Sequence, residues 1–272
     1  MSARTLLLTA TLCILFASCA HDVGSRSEQI EVRHNVEYSP PDWPQPVFGD
    51  LYLPAHRAHT PGVIMVHGGG WDGRDRSDMS GLSEMLAAHG FGVLNIDYRL
   101  VPAFRYPAPL EDIEQAANWL RSHAEALGID PDRLGGWGYS AGAQLIWLAA
   151  SRDKSFHAVV AGGMPSDLTR YPHSPLITAF LGATFKERPE LWRQASPIDQ
   201  VASASPPTFL YHGTWDQMVD FQNSVAMKTQ LDAMGVQGRL HAVHWLGHLA
   251  TFALAWDARQ DAVAFLDRTL RR

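Results

Sequence analysis

Short apolar runs bounded by glycine and proline alternate along the chain with stretches where apolar residues recur every three or four positions. "IEVRHNVEYS" alternates in the two-residue period of a half-solvated strand, and "PVFGDLYLP" offers it a hairpin partner. "GVIMVHGG" and "FGVLNIDYRL" are nearly continuous apolar runs, as expected of parallel strands covered on both faces. Between them, "SDMSGLSEMLAAHG" predicts a helix capped by Ser77 or Asp78 and stopped at Gly90. "LEDIEQAANWLRSHAEALG" places Ile113, Ala117, Leu120, Ala124 and Leu127 on one helical face and ends at Gly128. A glycine-rich strand "RLGGWGYS", a hydrophobic helix "AGAQLIWLAAS" and a strand "HAVVAGG" follow. The series closes with a strand "PPTFLYHG", a helix near 219–234, a strand "GRLHAVHW" and an amphipathic helix from about 250.

Strands alternating with helices predict an α/β fold, with a mainly parallel central sheet and helices on both faces. Right-handed crossovers then gather successive loops at the C-terminal edge of the strands, where ligands bind such sheets. Residues 163–200 break the rhythm: five prolines punctuate short helical pieces bearing Tyr171, Phe180, Phe185 and Trp192. This stretch reads as a short lid insertion and not as a second domain.

The 272 residues are 46% hydrophobic and 18% charged, with a net charge of −6 and no basic run in the body of the chain. That pattern gives no electrostatic footprint for nucleic acid. Residues 1–20, "MSARTLLLTATLCILFASCA", read as a signal peptide: Arg4 precedes an apolar stretch too short for an ordinary membrane span. "FASC" is similar to a bacterial lipoprotein signal, which would make Cys19 the lipidated first mature residue. Cleavage after Ala20 is the secretory alternative. Residues 21–30 read as a polar tether, leaving residues 31–272 as the folded domain. The expectation is an exported envelope protein attached to a membrane through an N-terminal lipid, or else periplasmic or secreted. Cys13 and Cys19 are the only cysteines, so the mature domain forms no internal disulfide.

Candidate chemistry centres on "GYSAG", residues 138–142. A serine between glycines, after a strand and before a helix, is the setting of a nucleophile elbow. A helix N-terminus there aims N–H groups at developing negative charge. Serine is a weak nucleophile and needs an adjacent base. His248 follows Gly247 in the loop after the last strand and is favoured over His244, which lies within that strand's segment. Asp216, directly after "LYHG", is favoured as the acid over Asp220, which falls in the next helix. "HGGGW", residues 67–71, ends a strand upstream, and its glycines let backbone N–H groups face a carbonyl oxygen. Gly69 and Gly70, with Ala141, are the expected oxyanion donors; Gly68 or Trp71 could replace one. His67 is expected to be structural. The thirteen histidines contain no metal-binding spacing such as H-E-x-x-H, and the nine tryptophans are expected mainly to fill the core.

Together "HGGGW", "DYRLVPAFRYPAPLEDIEQAANWL", "GYSAGA" and "SPIDQVASASPPTFLYHGTWDQMV" resemble the α/β-hydrolase superfamily over roughly residues 45–272. The resemblance is to its esterase/lipase branch, with hormone-sensitive-lipase-like carboxylesterases and acetylxylan/feruloyl-esterase-like enzymes. Tyr139 before the serine and Gly142-Ala143 after Ala141 depart from the hormone-sensitive-lipase elbow and point to the acetylxylan-esterase-like and kynurenine-formamidase-like relatives. The resemblance implies Ser140 as nucleophile, Asp216 as acid and His248 as base, acting on a small-molecule ester without cofactor or metal. In "DYRL" it implies a structural corner, with Asp97 and Arg99 as a candidate pair. Arylformamide hydrolysis on the same residues, or a non-catalytic anchored binding module, are the alternatives.

Overall fold

The computed structural model of the protein describes residues 30–55 and 58–271. The expected signal peptide, the lipidation candidate Cys19 and residues 21–29 of the tether lie outside the described residues.

Eight strands form one sheet: β1 (Glu31–Glu37), β2 (Phe48–Leu53), β3 (Thr60–Val66), β4 (Gly92–Ile96), β5 (Ile129–Tyr139), β6 (Phe156–Gly162), β7 (Thr208–Gly213) and β8 (Gly238–Val243). Their order is β1-β2-β4-β3-β5-β6-β7-β8. The first two make the expected hairpin, and β2 pairs antiparallel with β4. From β4 to β8 every pairing is parallel. The order reverses between β3 and β5, and the strand C-terminal edge at such a reversal is where ligands bind in sheets of this kind.

Successive strand residues serve opposite layers, because side chains alternate across a sheet. Ile64 and Val66 of β3 join one hydrophobic cluster, and Val63 and Met65 join the other. The first cluster lies under α2 (Ala108–Ser122), α4 (Ala141–Arg152) and α7 (Gln222–Ala233), the second under α1 (Ser80–Ala88) and α9 (Trp256–Leu270). Four tryptophans, Trp71, Trp137, Trp147 and Trp192, are buried, whereas Trp215, Trp245 and Trp256 are exposed.

Several boundaries differ from the sequence expectation. The stretch from Leu110 to Gly128 is two helices, α2 and α3 (Ala124–Leu127), parted at His123. Ser122 Oγ and His123 Nδ1 both hydrogen-bond to Trp119 O, and such back-bonding disrupts a helix. Gly128 takes the left-handed conformation that stops the second piece. The cap before α1 is Asp75, not Ser77 or Asp78; its carboxylate accepts from Ser77 N at 2.8 Å and starts a 3-10 turn leading into the helix. Residues 163–200 fold as α5 (Pro175–Leu181), α6 (Pro189–Gln194) and two 3-10 turns. The last helical stretch is divided at Ala255 into α8 (His248–Leu254) and α9.

Candidate active site

Ser140 stands between the end of β5 and the start of α4 with φ 53° and ψ −122°. A non-glycine residue held at such angles costs about 1–3 kcal/mol and persists only where its surroundings impose it. The imposition here is backbone crowding. A Cβ on Gly142 would lie 2.2 Å from His67 O, and one on Gly138 would lie 2.4 Å from Gly142 O. Both glycines of the motif are therefore required by contacts between β3, β5 and α4. Ser140 N donates to Gly162 O of β6 at 2.8 Å, which fixes the turn from the other side.

Sheet register brings the other parts alongside. Val66 is paired with Gly138, so the chain leaving β3 runs beside the elbow, and a Cβ on Gly68 would lie 3.3 Å from Ser140 Cβ. Gly69, Gly70 and Trp71 have φ of 106°, 64° and 66°. Trp71 Nε1 donates to Gln144 Oε1 at 3.1 Å, and Gln144 Nε2 donates to Ala195 O at 2.7 Å. That buried glutamine of α4 clamps the glycine turn and the 163–200 segment together. His67 is structural in position: Nδ1 donates to Gly68 O at 2.7 Å and the ring stacks on Tyr98 at 4.4 Å. Burial holds its pKa below the ordinary histidine value.

On the other side, β7 and β8 are neighbours with Gly213 paired to Val243, so the loops leaving them start together. Asp216 follows β7. His248 is the first residue of α8 and not a loop residue as the sequence suggested. His248 Nδ1 donates to Asp216 Oδ2 at 2.6 Å, with both side chains nearly inaccessible to solvent. Asp216 Oδ1 accepts from Met218 N at 2.9 Å and Val219 N at 2.8 Å. Burial pushes the Asp216 pKa up, but hydrogen bonds from His212, His248 and Val219 N outweigh it and hold the carboxyl well below the usual range. Tyr139 OH donates to His248 O at 2.6 Å. The competing candidates sit elsewhere: Asp220 lies before α7 and not within it as the sequence suggested, accepting from Gln222 N at 2.7 Å, and His244 is exposed beyond β8.

Ser140, Ala141, Gly68, Gly69, Gly70 and His248 line one cavity of about 610 Å³. Its apolar wall includes Pro165, Leu176, Ile177, Val219 and Phe252. Nucleophile candidate, imidazole and helix N-terminus thus share one partly enclosed space. Among the described residues no group of three or more His, Cys, Asp or Glu side chains could hold a metal ion.

The expected Asp97–Arg99 pair is not formed. Asp97 pairs with Arg76, while the buried Arg99 donates from Nε to Asp112 Oδ1 at 2.8 Å. Asp112 is fully buried and accepts from Trp43 Nε1 at 2.7 Å as well. An acid on the inward face of an otherwise apolar helical stripe was the available signal. The sequence reading also passed over His212, a fully buried histidine beside Asp216.

Residues 49–231 match the BD-FAE family model. Esterase LipQ of Mycobacterium tuberculosis is 31% identical over 232 residues, 78% of this chain and 54% of LipQ. The chain spans about half the length of the curated relatives it matches. A truncated form of a carbohydrate esterase from gut microbiota is similar in structure, with a TM-score of 0.82 at 22% identity, covering 91% of this chain and 99% of that one. The acetyl ester-xyloside bifunctional hydrolase of Caldicellulosiruptor lactoaceticus gives a TM-score of 0.75 at 26% identity, covering 85% and 90%. The shared architecture is the α/β-hydrolase fold.

Proposed function

This chain belongs to the BD-FAE family, and we propose that it is a serine hydrolase of carboxylic esters whose nucleophile, base and acid are Ser140, His248 and Asp216. Ser140 Oγ attacks the acyl carbonyl while His248 Nε2 takes the hydroxyl proton. Asp216 holds the imidazole as the Nδ1–H tautomer and stabilises the imidazolium without taking the proton. The Ala141 N–H and those of Gly69 and Gly70 hold the oxyanion, aided by the positive end of α4. His248 then protonates the departing alcohol. Water, deprotonated by the same imidazole, releases the acid from Ser140. No step calls on a metal or cofactor.

The observation that carries this reading is the buried 2.6 Å Asp216–His248 hydrogen bond opening onto the cavity that Ser140 lines from a strained turn. The names of LipQ and of the two structural relatives, all ester-cleaving, support the same chemistry. The wall formed by Leu176 and Ile177 supports short to medium acyl groups, with residues 163–200 acting as a lid. The N-terminal sequence supports export, with Cys19 as the lipid-bearing residue.

A panel of p-nitrophenyl esters and an aryl formamide, run with the native protein and Ser140→Ala, tests the assignment. Ester turnover is expected to fall by about 10⁴-fold or more in the variant. Faster turnover of the formamide than of every ester would replace the ester reading with an amidase. Equal rates in native protein and variant would remove Ser140 from the chemistry.

A further inference from the structure

Asp216 is held by two histidines, and the mechanism above uses one. His212, the fifth residue of β7, is fully buried among the apolar residues of that strand. Its Nε2 lies 3.1 Å from Asp216 Oδ2 and 2.8 Å from Val219 O. Its Nδ1 lies 2.7 Å from Ser224 Oγ, also fully buried, in the first turn of α7. Both neighbours of Nε2 are acceptors, so in the neutral ring that nitrogen carries the hydrogen. Nδ1 then accepts from the Ser224 hydroxyl, and one tautomer satisfies the whole chain.

The carboxylate of Asp216 receives two N–H groups on Oδ1 and His248 Nδ1–H on Oδ2, and the single His212 Nε2–H, shared with Val219 O at 2.8 Å, also faces Oδ2 at 3.1 Å. A carboxylate has about four lone-pair sites, so none remains to draw it elsewhere. A polar ring buried in a strand interior is costly unless its partners are exact in number, and an apolar side chain would fill this space with less demand. What His212 adds over an apolar residue is an N–H shared between Val219 O and Asp216 Oδ2. We propose that His212 is a positioning residue for the acid, fixing Asp216 Oδ2 in line with His248 Nδ1 through a Ser224–His212–Asp216–His248 hydrogen-bond chain. The proposal rests on the serine-hydrolase reading of the site. The lowered pKa of Asp216, to which the His212 hydrogen bond contributes more than any other, agrees with it.

Without that donor the carboxylate is free to turn about its last torsion, and the imidazole loses its fixed tautomer for part of the time. His212 is buried outside the cavity wall, so substrate binding should be spared and the chemical step slowed. His212→Leu keeps the approximate volume and removes the donor. His212→Gln places an amide N–H near the position of Nε2. With p-nitrophenyl acetate, His212→Leu is expected to lower kcat by about 10- to 100-fold, by analogy with loss of the hydrogen-bond partner that orients a metal-bound histidine, with KM within twofold. His212→Gln is expected to recover kcat to within about fivefold of native. The downfield proton resonance of the Asp216–His248 hydrogen bond should shift or broaden in the leucine variant and return in the glutamine variant. Should His212→Leu not fold, Ser224→Ala, which removes the anchor of the ring, is expected to show the same kcat-only loss at smaller size. An unchanged kcat, equal losses in the leucine and glutamine variants, or a loss confined to KM would overturn the proposal. A native protein with no activity on any ester would instead sink the serine-hydrolase reading, and is told apart because no variant is needed to see it.

Discussion

Asp216 Oδ2 and His248 Nδ1 lie 2.6 Å apart, although 32 residues separate them in sequence. The distance is short because β7 and β8 are adjacent and parallel, so each residue leaves its strand at the same edge of the sheet. Replacing Asp216 with Asn keeps the shape of the side chain but offers His248 an amide in place of an ionised acceptor. In a serine triad this favours the wrong tautomer, and kcat for short esters is expected to fall by about 10⁴-fold with little change in KM. Steady-state kinetics at neutral pH checks this. A loss below tenfold would remove Asp216 from the acid role.

The same carboxylate makes a signed prediction about pH. Its pKa is lower in the folded chain than the ordinary value near 4. Its contribution to stability is therefore complete above that ordinary value and is lost as pH falls through the folded one. The difference in urea midpoint between native protein and Asp216→Asn should shrink steadily as pH falls below about 4. A difference that grows as pH falls below about 4 would contradict the assignment.

Gly142 is fixed by a contact rather than by a dihedral. A methyl group there would be pressed to 2.2 Å from His67 O and 2.4 Å from Val66 O. Both are backbone atoms of β3 and its exit, and neither can swing away. Gly142→Ala is expected to cost about 1–3 kcal/mol, the usual range for overpacking, and to displace the glycine turn from Ser140. Thermal melts should show a lower Tm, and kcat should fall in the folded fraction. An unchanged Tm would mean that β3 and α4 are not so closely packed.

Asp112 separates stability from chemistry. It neutralises Arg99, which is buried and also lies over the Trp43 and Phe104 rings. Asp112→Ala leaves that guanidinium buried without its main partner, and breaking such a pair typically costs about 3–5 kcal/mol. Urea denaturation measures the loss. Turnover per site titratable with a fluorophosphonate should stay within twofold of native, because neither residue lines the cavity.

Leu176 and Ile177 of α5 line one wall of the cavity, the wall proposed above to limit the acyl group. Leu176 lies near enough to Gly70 that a Cβ there would meet Leu176 Cδ2 at 2.9 Å. Ester chain-length profiles should peak at short to medium acyl groups, and Ile177→Ala should move the optimum to longer chains by one or two carbons. A native profile that peaks at long acyl chains would contradict that limit.

The alternation of apolar runs and helical stripes made the sheet, its layers and the order of its parts legible before any coordinates. That Ser140, Asp216 and His248 converge was legible because each follows a strand at the edge where loops meet. The Asp97–Arg99 expectation was wrong because adjacency in sequence is a poor guide in a corner: Asp97 and Arg99 are drawn to Arg76 and Asp112, from different elements. Helix division at His123 and Ala255 was missed because neither glycine nor proline marks it. His212 went unnoticed because a histidine inside an apolar strand acquires meaning only when the turn after β7 brings Asp216 and Val219 back to one ring nitrogen and α7 brings Ser224 to the other.

In the serine-hydrolase reading proposed above, the Ser140 hydroxyl forms the covalent bond. Treating the native protein with a fluorophosphonate and mapping the adduct by peptide mass spectrometry tests it most directly. One adduct is expected, on the peptide carrying Ser140, absent in Ser140→Ala and slowed by orders of magnitude in His248→Ala. Modification at another residue, or undiminished labelling of Ser140→Ala, would contradict it.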